Sequence, residues 1–445
     1  IARRDTDRAR RLAPRGAPAL VVRDGDVFDS ETGRVRPRTS VVIEGDRITQ
    51  VGDFATLRIP AGARVLDARG RAIVPGMYDM HAHIAIFGDA APHMMLAAGI
   101  TTARDMAGDF DATLALRDRL DAATGVGPRL VLAGFLEGPG AWAGPSEVLV
   151  RTEDDARAWI ARYDSLGYRQ VKLYNLVHPD LVPTIVEEAH RRGMRVSGHI
   201  PRGMSLQAAI GLGFDEVQHL AFLVSTFFPD SMYLPRMRAY SNLAGDVLGD
   251  FDVEGAPLTA LIAEMQRRGT VYDPTLNLFA GPDCLLADGT HPVFGAAISW
   301  LRPRDPRDTP PATCSDTSFD GVRAAKYRRM VRRIYDAGVT IVPGTDNVAG
   351  LSFHGELELY QRAGIPAAEV LRLATIVPAR VMKEDDRHGS VAVGKVADLL
   401  IVDGRPWDDI RALRRGHTVI RAGRDYSVDA LWREAGIVRR PAVGR

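Results

Sequence analysis

Two histidines, His81 and His83, close the apolar run Val74-Pro75-Gly76-Met77-Tyr78-Asp79-Met80. On a strand, side chains at i and i+2 share a face, so the two imidazoles would stand side by side. Neutral imidazoles in that arrangement can hold a divalent metal through ring nitrogens. With eleven histidines in 445 residues, one His-x-His is as readily a polar strand end, and further ligands at later strand ends must decide. The chain offers them in Val171-Lys172-Leu173-Tyr174, Ser197-Gly198-His199, Val217-Gln218-His219 and Pro343-Gly344-Thr345-Asp346. Each alone has an ordinary explanation: a lysine can snorkel at a rim, and an aspartate after Gly-Thr can cap a helix. Their joint occurrence at successive strand ends argues for one metal site.

The elements that must position them alternate. Eight strand candidates run over Met77–His83, Thr101–Met106, Arg129–Gly134, Gln170–Tyr174, Arg195–Ile200, Glu216–Leu220, Thr270–Thr275 and Thr340–Asp346. Amphipathic stretches lie between them. Asp180–Arg192, Leu258–Arg268 and Val322–Ala337 are each followed by a glycine, which is a helix stop. Eight strand candidates alternating with helical stretches predict a (β/α)8 TIM barrel over residues 74–384, with the site at the C-terminal strand ends. A doubly wound sheet is the competing architecture, but no G-x-G-x-x-G loop follows the first strand candidate. Both flanks read as short strands, including a hairpin through Glu44-Gly45-Asp46-Arg47. They predict a small β-sandwich domain assembled from residues 19–73 and 385–430. Residues 1–18 read as an N-terminal tail and 431–445 as a C-terminal tail. The segments 221–257 and 277–320 are long for loops and are expected to shape the site.

Composition restricts the partners. The chain is 46% hydrophobic and 25% charged with a net charge of +1, so neither nucleic acid nor membrane is expected as a partner. No apolar run reaches the ~18 residues of a membrane span. The basic N-terminus lacks an apolar signal region after it. Location stays open, with a periplasmic or secreted protein favoured over a cytoplasmic one if the N-terminus is processed. Cys284 and Cys314 fit a disulfide in an oxidising compartment and two free thiols equally well.

The motifs Val74 to His83, Ala98-Gly99-Ile100-Thr101-Thr102-Ala103-Arg104-Asp105, Gly198-His199, Gln218-His219, Gly344-Thr345-Asp346 and Gly389-Ser390-Val391-Ala392-Val393-Gly394-Lys395-Val396-Ala397-Asp398-Leu399 together resemble the amidohydrolase superfamily. Within it the chain looks most like the imidazolonepropionase/prolidase-like branch. The resemblance implies a binuclear site: His81, His83 and Asp346 on the more buried metal, His199 and His219 on the second. Lys172 would bridge them as a carbamate formed with carbon dioxide. A lysine ammonium cannot ligate a cation, whereas its carbamate offers two oxygens to metals ~3.5–4 Å apart. Two divalent ions, with zinc expected from the imidazole and carboxylate ligands, would be the cofactors. The implied chemistry is amide (C–N) hydrolysis of a small molecule such as a dipeptide or N-acyl amino acid. It would use a metal-bridging hydroxide, with Asp346 as general acid and base. A lactonase, a cyclic-amide hydrolase, a deaminase and a non-catalytic scaffold are the alternatives. A homo-oligomer is the expected assembly.

Substrate contacts are expected from Tyr174 and His178 after the fourth strand candidate, from Trp142 in a Gly-rich loop, and from His354 after the last. Dipeptidase relatives often carry small polar residues soon after the lysine, whereas this chain reads Tyr174-Asn175-Leu176-Val177-His178-Pro179. Arginine is abundant everywhere, and no cluster of it marks a carboxylate clamp.

Overall fold

The computed structural model describes residue 7 and residues 11–12, 18–141, 143–227, 251–281, 284–287, 290–294, 312–314 and 322–437. Five strands precede the barrel: β1 (Ala19–Asp29), β2 (Arg34–Glu44), β3 (Arg47–Gly52), β4 (Arg64–Asp67) and β5 (Arg71–Pro75). The predicted hairpin is β2–β3, paired Glu44 to Arg47 across a two-residue turn in which Gly45 supplies a positive φ of 61°.

The barrel strands are β6 (Met77–Ala82), β7 (Ile100–Asp105), β8 (Arg129–Leu136), β9 (Gln170–Leu173), β10 (Arg195–Gly198), β11 (Glu216–Gln218) and β12 (Val271–Asp273). All pair in parallel, each with its sequence neighbour, in the order β12-β11-β10-β9-β8-β7-β6. Residues 340–346, expected as the eighth strand, occupy the gap without forming a regular ladder. Val342 N–H donates to Tyr272 O at 3.0 Å on one side, and Met80 N–H donates to Pro343 O at 2.8 Å on the other. Pro343 has no N–H to give, which interrupts the pairing. Gly344 is needed beside it, because a Cβ there would lie 2.3 Å from Asp273 Oδ1 and 2.5 Å from the His81 Cβ. The barrel is thus seven strands closed by an irregular eighth segment.

Three of the intervening helices fall where the sequence places them: Val182–Arg191, Ala256–Arg268 and Val322–Asp336. Inside the barrel, alternate strands contribute one charged layer. Arg104 on β7 donates to Glu216 on β11 at 2.8 Å, to Gln170 on β9 at 3.0 Å and to Met80 O at 2.7 Å. Side chains from alternate strands filling one layer is the interior arrangement of such barrels. Here the layer is ionic, and Arg104 and Glu216 are at most 1% exposed.

Beyond the barrel's seventh strand, the short pair β13 (Cys284–Leu285) and β14 (Ala312–Thr313) is joined by a Cys284–Cys314 disulfide, which decides the open question about these cysteines. The C-terminal strands β15 (Leu399–Asp403), β16 (Gly416–Arg421) and β17 (Arg424–Ser427) join β1–β5 in one mixed eight-stranded sheet, ordered β17-β16-β15-β5-β1-β2-β3 with β4 beside β1. The alternation of apolar residues explains its two faces. Leu20, Val22, Val41, Ile43, Leu399 and Ile401 build the sheet's own core, while Ala72, Val74, Leu400 and Val402 point into the core shared with the barrel. Residues 428–434 form a helix that buries Leu431 and Trp432. Among the described residues, no helix is long and apolar enough to cross a membrane.

Candidate metal centre

The site stands directly above the charged layer. Lys172 lies two residues past Gln170 on β9 and therefore on the same inward face. His81 is on β6, with His83 just past its end. His199 and His219 immediately follow β10 and β11, and Asp346 ends the irregular closing segment. Three residues here hold positive φ although they are not glycine: His219 at 62°, Thr275 at 45° and Asp346 at 44°. Such strained positions cluster where the surrounding structure aims a side chain for function.

Each histidine has one ring nitrogen occupied, which sets what the other can do. His81 Nδ1 meets Asp273 Oδ2 at 2.8 Å, with both side chains fully buried. His83 Nδ1 donates to Ala107 O at 2.6 Å. His199 Nδ1 meets Asn175 Oδ1 at 2.8 Å, and His219 Nδ1 meets Thr275 Oγ1 at 3.0 Å. Acceptor oxygens beside the Nδ1 atoms of His81, His83 and His199 hold the proton there and leave Nε2 as the metal donor, the usual arrangement of histidine ligands, while the Thr275 hydroxyl can serve His219 in either tautomer.

The Nε2 atoms of His83 and His81 lie 3.0 and 3.7 Å from Asp346 Oδ1, and suitable donor atoms of all three residues fall within 4.8 Å of one another. Ligands at about 2.0–2.2 Å from a tetrahedral ion stand about 3.3–3.6 Å apart, so these separations fit one ion. Without an ion the 3.0 Å contact is a hydrogen bond from His83 Nε2–H to the Asp346 carboxylate, and a divalent metal between the two would take the place of that proton. Among the described residues this triad is the one compact group of three metal-binding side chains. The remaining donors are adjacent: Lys172 Nζ is 3.1 Å from His81 Nε2, the rings of His199 and His219 are 4.8 Å apart, and His219 Nδ1 is 3.7 Å from Asp346 Oδ2.

Electrostatics favour ligation. Burial, reinforced by neighbouring cationic groups, keeps His81 and His199 well below the usual imidazole range and His219 at about 4, so all three are neutral. Burial also brings Lys172 down to about 8, against the pull of Asp346, Asp273 and Asp105. Burial alone would raise Asp346, but the His83 hydrogen bond and the neighbouring cationic groups, Lys172 among them, hold it down at about 2.

The other expected contacts divide. Tyr174 does reach the site: its ring stacks on His199 at 4.0 Å and stands edge-on to Phe135 at 4.9 Å. His178 does not. It points to solvent at the start of the turn Pro179–Leu181, accepting from Asp180 N–H at 3.3 Å, because the chain has already left the rim there. His354 does not either. It is buried in the helix Phe353–Arg362 with Nε2 2.9 Å from Ala98 O, a packing role away from the donors. Trp142 lies outside the described residues.

Asp273, Asn175 and Thr275, which orient the histidines, escaped the sequence reading. Asp273 sits at the end of a strand candidate, the one signal that would have found it. Asp79 also escaped, and it joins the first and last barrel segments. Its carboxylate accepts from Thr345 Oγ1 at 2.8 Å and from the N–H groups of Thr345 and His81, each at 3.2 Å.

Above the donors opens a cavity of about 710 Å³, lined by His83, Lys172, Tyr174, His199, His219 and Asp346 at its floor. Its upper wall includes Ile86, Asp109, Glu147, Phe222, Leu278 and Phe279.

Comparison with known proteins agrees with this arrangement. The amidohydrolase family model matches residues 72–432. The imidazolonepropionase of Streptomyces griseus subsp. griseus is 50% identical over 419 residues, covering 88% of this chain and 90% of that one. Adenine deaminases match as well, but there the chain spans 11% of their length. Among solved structures, a bottromycin amidohydrolase superposes with a TM-score of 0.72 at 22% identity over 99% of both chains. A Xaa-Pro dipeptidase with methionine in its active site gives 0.66 at 21% identity over 92% of this chain and 100% of that one. At these identities the structural likenesses establish the fold.

Proposed function

The chain belongs to the amidohydrolase family, and from that premise we propose that it hydrolyses an amide C–N bond of a small molecule at a binuclear metal site. The observation that carries this reading is the convergence of His81, His83 and Asp346, with Lys172 3.1 Å from His81 Nε2. His81, His83 and Asp346 would hold one ion, and His199 and His219 a second. Lys172 would be shared between them as a carbamate. When bound, divalent ions such as zinc lower the pKa of water and polarise a carbonyl.

The chain's own residues supply the rest. Asp346 is ionised and touches the donor set, so it can take the proton of the attacking water and deliver it to the leaving nitrogen. The products are a carboxylic acid and an amine. Tyr174, stacked on His199 and lining the cavity, would contact the acyl oxygen or its neighbour. Asp273 and Asn175 would hold the imidazoles of His81 and His199 in the tautomers that ligation requires, and Thr275 would orient the His219 ring. The bottromycin amidohydrolase and the Xaa-Pro dipeptidase that share this fold favour amide cleavage. A deaminase is the second reading, supported by the adenine deaminase matches and opposed by the lysine at the end of β9.

The test is a hydrolysis panel on metal-loaded enzyme, of dipeptides, N-acyl amino acids and other amides, lactones and cyclic ureides, read beside metal content. Two metals per chain with amide turnover is the expected result. Turnover confined to ring deamination with one metal per chain would overturn the binuclear amidase reading, as would Asp346→Asn with full kcat and both metals bound.

A further inference from the structure

The cavity above the metal donors carries both of its exposed carboxylates on one side, among apolar lining residues such as Phe135 and Pro145. Asp109 follows β7 and Glu147 lies in the segment after β8, so the acidic wall stands above the second and third barrel strands. Phe222 follows β11, and Leu278 and Phe279 follow β12, so an apolar wall stands above the sixth and seventh. In an eight-position ring these two sectors face each other across the metal donors. Both acidic residues are exposed. Asp109 spends one oxygen capping the helix Phe110–Asp121, accepting from Ala112 N–H at 2.7 Å. Apart from Lys172 and the histidines of the donor set, the cavity has no cationic side chain among its described lining residues.

The apolar residues carry a second signal. Few large apolar side chains are exposed among the described residues, yet Ile86 at 66% and Leu278 at 39% both border this cavity. Exposed apolar surface gathered at one concave place marks a binding wall.

We propose that the substrate is an apolar or aromatic amide that is uncharged or cationic beside the scissile bond, and that the cavity discriminates against a carboxylate there. This rests on the amide reading of the same site. It narrows that reading away from free dipeptides and N-acyl amino acids, both of which carry a carboxylate near the bond. The physical reason is the pair of carboxylates: away from the metal donors, an anionic group seated against the Asp109 and Glu147 side would meet two like charges and, among the described lining residues, no arginine to receive it.

The experiment uses one scissile bond with three charges: phenylalanine p-nitroanilide, its N-acetyl derivative and its N-succinyl derivative, on the metal-loaded full chain. The expected result is a kcat/KM for the succinyl compound at least about tenfold below that of the acetyl compound at low salt. The gap should shrink at high salt and in Glu147→Gln. Equal or preferred cleavage of the succinyl compound would overturn the proposal. If none of the three is cleaved, calorimetric binding of the intact compounds still decides. Tighter binding of the acetyl or free-amine compound would support the charge preference while the amide reading fails. Equal, reversed or undetectable binding would overturn the charge preference too.

Discussion

Asp273→Asn isolates the least expected part of the site, the carboxylate behind His81. With a metal on Nε2, a carboxylate at Asp273 would accept the Nδ1 proton at 2.8 Å and leave Nε2 bare toward Asp346; without an ion, burial and the nearby Glu216 push the Asp273 carboxyl well above the usual carboxylate range. The substitution changes almost no volume, but its amide can turn its NH2 to Nδ1. That would move the proton to Nε2 and remove the donor. Both side chains are fully buried, so solvent does not screen the interaction. A charge-assisted hydrogen bond of this kind contributes about 1.5–3 kcal/mol, which corresponds to a loss of about 10- to 150-fold in metal affinity. Measured effects of outer partners of metal-bound histidines fall in the similar range of about 10- to 100-fold. Chelator competition on the purified variant measures the affinity, and calorimetric unfolding of the metal-free protein checks that the fold survives. Wild-type metal affinity in a folded Asp273→Asn protein would refute the assignment.

Three further outcomes follow from the same geometry. Carbamate formation needs a neutral amine, and Lys172 is lowered from 10.5 to about 8, so its neutral fraction rises with pH through about 8. Reactivation of metal-stripped enzyme at fixed dissolved carbon dioxide should therefore quicken with pH and level off above about 8. A rate independent of pH would contradict this, and Lys172→Met should lower bound metal from two per chain toward one. Arg104→Met strands Glu216 in the barrel interior, where breaking a buried pair costs about 3–5 kcal/mol. Denaturant unfolding should show that loss, and a change under about 1 kcal/mol would mean that Glu216 is protonated or solvated. His178→Ala should leave kcat/KM within about twofold of wild type, as expected of an exposed side chain away from the cavity; a loss of tenfold or more would place it back at the substrate.

The sequence by itself determined the barrel and the residues on its strand ends. Strand periodicity fixes which side chains face inward, and β-strand boundaries marked by glycine fix where His81, Lys172, His199 and His219 emerge. Both are local properties of the chain. The closing segment keeps its expected place but not its ladder, because Pro343 has no N–H to give to a neighbouring strand. The long-range facts were not legible. The Asp273–His81 contact joins residues 192 apart in sequence, and the Arg104–Glu216 pair joins residues 112 apart; nothing local to either partner announces the other. Loop residues divided for the same reason. Tyr174 follows the strand that carries Lys172 and is held over the donors, whereas His178, four residues later, turns out to solvent and His354 turns into a helix core. What only the tertiary structure decided is which carboxylate orients which imidazole and which walls meet across the cavity, because closure of the ring, not sequence proximity, brings those groups together.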